Sequence, residues 1–185
     1  MNYDDTLILG IGNTLLSDEG AGIHALNLLQ SEYPDIPNLT YVDGGTLSFT
    51  LATWIEECTN LIVFDAAQLN QPAGTIKTFV DEAFDGFLGA AKRSAHEVGL
   101  LDLMDIARLT GHFPKHRALI GIQPEYMSWG MTPTEAVRKA LNPAVEEAVK
   151  LIKQWHAVNT GQDNVSLNHY RRQVTSASAA EESER

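Results

Sequence analysis

Apolar and polar positions follow two rhythms along the chain. Five short runs rich in β-branched and aliphatic residues, at 6–11, 39–43, 61–66, 75–80 and 118–122, have the length and composition of buried strands. Between them apolar residues recur at helical spacing. Over 21–33 these are Ile23, Leu26, Leu28 and Leu29, and Pro34 marks the stop. A second helix is expected near 49–58. A third, over 98–109, carries Leu100, Leu101, Leu103, Met104, Ile106 and Leu109; Ser94 and Glu97 read as the capping box that opens it, and Gly111 ends it. The last helix has Thr132 as cap, Pro133 in its first turn and Glu135 closing a capping box. Its apolar pattern continues to Trp155, and Pro143 is expected to kink or split it. Strands alternating with crossover helices predict a three-layer α/β/α sandwich around a mixed, mostly parallel five-stranded sheet.

Composition sets the limits of that picture. With 185 residues, 44% of them apolar, one core can be buried, so a single domain is expected over 1–157. From 158 to 185 Asn, Gln, Ser, Thr and charged residues dominate, which predicts a flexible C-terminal tail, with 166–170 as a possible docking segment. The net charge of −11 argues against nucleic-acid binding, which relies on Lys and Arg to neutralise phosphates. No signal-peptide pattern opens the chain and no run of about 18 apolar residues occurs, so no membrane association and a cytoplasmic location are expected. The one cysteine, Cys58, excludes an internal disulfide framework and a cysteine-rich zinc site. It is read as a packing residue in the middle of the second helix. Any metal site must then use Asp, Glu and His.

Ligands of open α/β sheets bind outside the carboxyl ends of the strands, and three polar clusters fall there: Gly10-Ile11-Gly12-Asn13, Asp43-Gly44-Gly45-Thr46, and Asp65. The first begins like a dinucleotide fingerprint but has Leu15 where a third glycine belongs. Its loop instead carries Asp18 and Glu19 just before a helix, where carboxylates serve either as caps or as a site. Gly20 and Gly22 beside them imply close approach to the backbone, and substrate is the expected visitor, so that Gly22→Val should impair binding more than folding. His96 lies in the polar turn opening the third helix. Were Glu19, Asp65 and His96 to meet across the crevice, they would form an N/O shell suited to zinc, nickel or another transition divalent ion. Spacing alone leaves surface roles for each of them open. Glu97 is accounted for by the capping box.

Taken in order, Leu9-Gly10-Ile11-Gly12-Asn13-Thr14-Leu15-Leu16-Ser17-Asp18-Glu19-Gly20, Val42-Asp43-Gly44-Gly45-Thr46 and Phe64-Asp65-Ala66 resemble the hydrogenase maturation protease family. Ser94-Ala95-His96-Glu97-Val98-Gly99-Leu100, Gly111-His112-Phe113-Pro114-Lys115 and Ile120-Gly121-Ile122-Gln123-Pro124 continue the likeness, which covers about residues 6–155. The branch serving membrane-bound uptake hydrogenases is the most similar. The resemblance implies an endopeptidase that removes a C-terminal extension from the large-subunit precursor of a nickel–iron hydrogenase after nickel insertion. It implies metal ligands at Glu19, Asp65 and His96, and a role in recognition or catalysis for Asp43. Nickel would be brought by the substrate, with zinc or cadmium able to occupy the site, and the protein would act as a monomer. Two other readings stay open: a non-catalytic nickel-docking maturation chaperone using the same ligands, and a nucleotide-binding module using Gly10 and Gly12.

Overall fold

A computed structural model describes residues 5–46, 48–90 and 95–160, with backbone alone at 95–98 and 157–160. In chain order the elements are β1 (Thr6–Gly10), α1 (Ala21–Glu32), β2 (Leu39–Asp43), α2 (Ala52–Glu57), β3 (Asn60–Ala66), β4 (Ile76–Val80), α3 (Glu82–Leu88), α4 (Ala95–Leu109), β5 (His116–Ile122) and α5 (Glu135–Thr160). The sheet order is β2-β1-β3-β5-β4; β1, β2, β3 and β5 are parallel, and β4 closes one edge antiparallel to β5. Every residue of β1 and β3 is buried, because helices cover both faces, and this is why those strands read as continuous apolar runs.

Side-chain alternation along the strands divides the core in two. Ile8, Ile62, Phe64 and Ile120 pack toward α1 and α5, with Leu26, Leu29, Val145, Ile152 and Trp155. Leu7, Leu9, Leu61, Val63 and Leu119 pack on the opposite face against α2, α3 and α4, with Ile55, Phe84, Leu100, Leu103 and Met104. Burial of these two layers holds the sandwich together, at roughly 1.5–3 kcal/mol for each large aliphatic or aromatic side chain.

The strands fall where the periodicity puts them, and so does the end of α4. There Gly111 (φ +78°) takes the left-handed position, with Gly111 N–H donating to Arg108 O and His112 N–H to Ala107 O. Four local expectations differ. The cap of α5 is Thr134, whose carbonyl accepts Arg138 N–H at 2.8 Å; Thr132 lies outside the helix because Asp18 holds Thr134 from across the loop. Of the two outcomes expected at Pro143, a kink or a split, the split does not occur, since Val137, Ala140, Ala144, Val145 and Ala148 seat the helix on the core on both sides of the proline. Cys58 follows α2 rather than lying within it. Its Sγ donates to Ile55 O, and burial pushes its pKa up to about 12, so the thiol stays protonated. Helix α3 was not expected: with seven residues and Gly86 inside, it shows its buried face only through Phe84 and Leu88. The capping box at Ser94 and Glu97 lies outside the described side chains. The tail from 161 onward also falls outside the described residues, and α5 runs three residues past the expected boundary at 157.

Candidate functional site

The carboxyl edge of the sheet carries Asp43 and Asp65. Asp43 ends β2 and pairs in register with Gly10 of β1, which pairs with Phe64 of β3, the residue before Asp65. Asp43 and Asp65 thus flank β1, with backbones about 10 Å apart across two strand spacings. Alternation places Asp65 on the same face as Leu61 and Val63, the face covered by α4. Helix α4 descends to the amino edge, where Lys115 N–H donates to Thr59 O and His116 pairs with Asn60. Its 15 residues are about 22 Å long and match the roughly 23 Å rise of the strand that follows. Its first turn, with His96 as second residue, therefore reaches the carboxyl edge. The imidazole of His96 lies outside the described side chains.

Glu19 sits in a single 3₁₀ turn, Ser17–Gly20, between β1 and α1. The glycines explain its seat. A Cβ on Gly12 (φ +143°) would lie 2.0 Å from Glu19 O, and one on Gly22 would lie 2.3 Å from both Ile11 O and Phe64 O. The visitor that needs Gly22 is thus the protein's own sheet, not substrate, and the expectation that Gly22→Val spares folding is overturned. The same contacts hold the Glu19 turn over the ends of β1 and β3.

Neither carboxylate of the turn caps α1, whose start makes no side-chain cap bond. Asp18, fully buried, reaches across the molecule instead. Its Oδ2 accepts from Glu125 N–H and Tyr126 N–H at 2.9 Å and from Thr134 Oγ1 at 2.9 Å, and its Oδ1 accepts from Thr134 N–H at 2.6 Å. Backbone bonds from Ser17 N–H to Gly130 O and from Gly130 N–H to Leu15 O complete the clamp. Sequence reasoning missed this role because its partners lie more than 100 residues away. It also missed buried Gln123, whose Oε1 accepts Leu69 N–H at 2.8 Å and whose Nε2 donates to Gln68 Oε1, tying the loop after β3 to the end of β5. Locally Asp18 reads only as a helix cap or site residue and Gln123 only as part of a motif, because nothing nearby in sequence marks their partners.

Chemically the edge offers two kinds of carboxylate. Asp43 is exposed, its Oδ1 held by Gly45 N–H at 2.8 Å, beside a shallow cleft of about 330 Å³ lined by Gly12, Asn13, Leu15, Ile23 and Thr46. Asp65 is 1% exposed, and its Oδ1 and Glu19 Oε2 are buried oxygens. Among the described residues no three His, Cys, Asp or Glu side chains gather at one point suited to a metal. Two carboxylate oxygens with an imidazole nitrogen nonetheless form a donor set that suits nickel or zinc. Two larger hollows, between α1 and α5 and at the amino edge beside Cys58, lie far from this edge.

Comparison with known proteins matches this architecture. The family model described as hydrogenase maturation protease matches residues 23–151, a span containing Asp43, Asp65 and His96 and beginning just after Glu19. The hydrogenase expression/formation protein HoxM of Cupriavidus necator is 37% identical over 80% of this chain and 73% of its own length. The hydrogenase 2 maturation protease of Escherichia coli is 35% identical over 80% of this chain and 90% of its own. The solved structure of the hydrogenase maturating endopeptidase HybD from E. coli superposes with a TM-score of 0.76 at 30% identity, covering 81% of this chain and 93% of that one. With its mixed five-stranded sheet and helices on both faces, the chain belongs to the hydrogenase maturation protease family, endopeptidases that cleave the C-terminus of the hydrogenase large subunit.

Proposed function

We propose that Glu19, Asp65 and His96 engage nickel already carried by the large-subunit precursor, and that Asp43 acts on the scissile peptide bond beside it. The observation that carries this reading is the seating of the Glu19 turn on Gly12, next to the end of β3 that bears Asp65, at the edge reached by the first turn of α4. A metal borne by the substrate completes a shell that two carboxylates and one imidazole leave open, so only loaded precursor is held. Asp43, oriented by Gly45 N–H and open to the cleft, takes the proton of the attacking water and returns it to the leaving amine; one C–N bond breaks, giving a carboxylate and an amine. A cytoplasmic monomer is part of the same proposal. It is supported by the lone cysteine and by the charge of −11, which opposes self-association, and no helix among the described residues is long and apolar enough to cross a membrane.

Precursor cleavage followed by mass spectrometry tests the assignment. Glu19→Gln, Asp65→Asn and His96→Gln should each lose processing of nickel-loaded precursor while unfolding cooperatively. Any double variant should be scarcely worse than the worse single one, because all three residues act on one ion. Normal processing by all three single variants would sink the ligand assignment, and binding without cleavage by the wild type would favour the docking chaperone.

A further inference from the structure

Between β5 and α5 the chain exposes Tyr126, Met127, Trp129 and Met131, with Trp129 at 78% and Met131 at 73%. Leu15 is exposed as well and adjoins them through the bond from Gly130 N–H to its carbonyl. Single exposed apolar residues are ordinary, but five large ones on two hydrogen-bonded loops form a patch that monomer surfaces seldom carry. None of the five belongs to either core. The loop is also firmly held, since buried Asp18 accepts four hydrogen bonds from it. Placing a carboxylate out of water is costly unless such donors surround it. The effect is to fix the apolar patch in register with Glu19, the next residue along. Leu15 in addition lines the cleft beside Asp43, so the loop bonded to it borders that cleft.

We infer that this platform receives the C-terminal segment of the large-subunit precursor, with apolar residues next to the scissile bond lying across Trp129 and Met131. The inference rests on the reading of Glu19 and Asp43 as the processing site. An endopeptidase must lay its substrate segment through the cleft, and the surface bordering this one is built of aromatic and methionine side chains, the types enriched at binding interfaces. Methionine adapts its shape to the chain it meets. A second copy of this protein is the rival occupant, and the charge of −11 on each copy opposes it.

The test uses the full chain and nickel-loaded precursor. Trp129→Ser combined with Met131→Ser should leave the unfolding midpoint unchanged and lower kcat/KM roughly tenfold or more, with the loss carried by KM. Leu109→Ser, equally exposed but at the amino edge, should leave processing unaltered. Adding the two loop substitutions to Glu19→Gln should weaken the binding that this variant retains by about the same factor. Unchanged KM and Kd in the loop variants overturn the platform, whatever Glu19→Gln does. Full cleavage by Glu19→Gln, Asp65→Asn and His96→Gln alike overturns the processing-site reading instead, and Kd still decides the platform. Self-association of the wild type that the loop substitutions abolish, seen by sedimentation velocity, would assign the patch to a second copy and overturn the inference.

Discussion

Asp18 is fully buried and accepts four hydrogen bonds, whereas Asp43, at the same edge of the sheet, is exposed and accepts one from Gly45. The first fixes structure, and the second faces solvent beside the cleft. Replacing Asp18 with alanine leaves the N–H groups of Glu125, Tyr126 and Thr134 without their acceptor, so denaturant unfolding should report a loss of about 3 kcal/mol or more. A loss below about 1 kcal/mol would mean that water replaces the carboxylate with little cost. His24 carries a different prediction. Burial lowers its pKa from 6.5, and its Nε2 is buried with no hydrogen-bond partner among the described residues. Below about 6.5 the unfolded chain therefore binds more protons than the folded one, and stability falls as the pH drops toward the lowered folded value. The unfolding midpoint should decrease between about pH 7.5 and about pH 5.5, and His24→Gln should shrink that decrease; an identical pH dependence in the variant would contradict the assignment.

At the scale of elements, α1 lies so close to the sheet that any side chain at position 22 meets the carbonyls of Ile11 and Phe64. Gly22→Val should cost at least about 1–3 kcal/mol of stability, read by chemical denaturation, and lose processing only as far as folding is lost. On the far edge, Arg117 donates to Asp85 through Nε and Nη2, and Asp81 Oδ1 accepts Arg117 N–H, fastening α3 and β4 to β5. The hydrogen bond to Asp85 is the main reason the Arg117 pKa is raised. Asp85→Ala should destabilise by about 1–3 kcal/mol, and no change in the midpoint would show that bond to be dispensable. Strand positions and the ends of α1 and α4 were legible because buried runs, Pro34 and Gly111 are local signals. The start of α5 was misplaced by two residues because Asp18, far away in sequence, decides it. Helix α3 was invisible because seven residues cannot display a period. At the site, the motifs pointed to Asp43, Glu19, Asp65 and His96, while Asp18, Gln123 and the exposed loop became visible only when the chain was folded.

For the whole molecule, Glu19, Asp43 and Asp65 follow or end the parallel strands β1, β2 and β3, whose carboxyl ends share one edge, and α4 starts toward that edge because it descends to the amino end of β5. Helix α5 continues to Thr160, and His156 Nε2 lies 3.2 Å from Thr6 Oγ1, so the expected domain boundary at 157 is better tested by truncation after residue 160. That variant should unfold cooperatively and keep most of its activity; loss of cooperative unfolding would assign the remaining residues to the domain. The central claim is that the edge bearing Glu19, Asp65 and His96 reads nickel in the precursor before the chain is cut. Mass spectrometry of precursor incubated with the purified protein, with and without nickel loaded, measures it directly. The account predicts loss of the C-terminal extension from the loaded precursor alone; equal cleavage of both forms would contradict it.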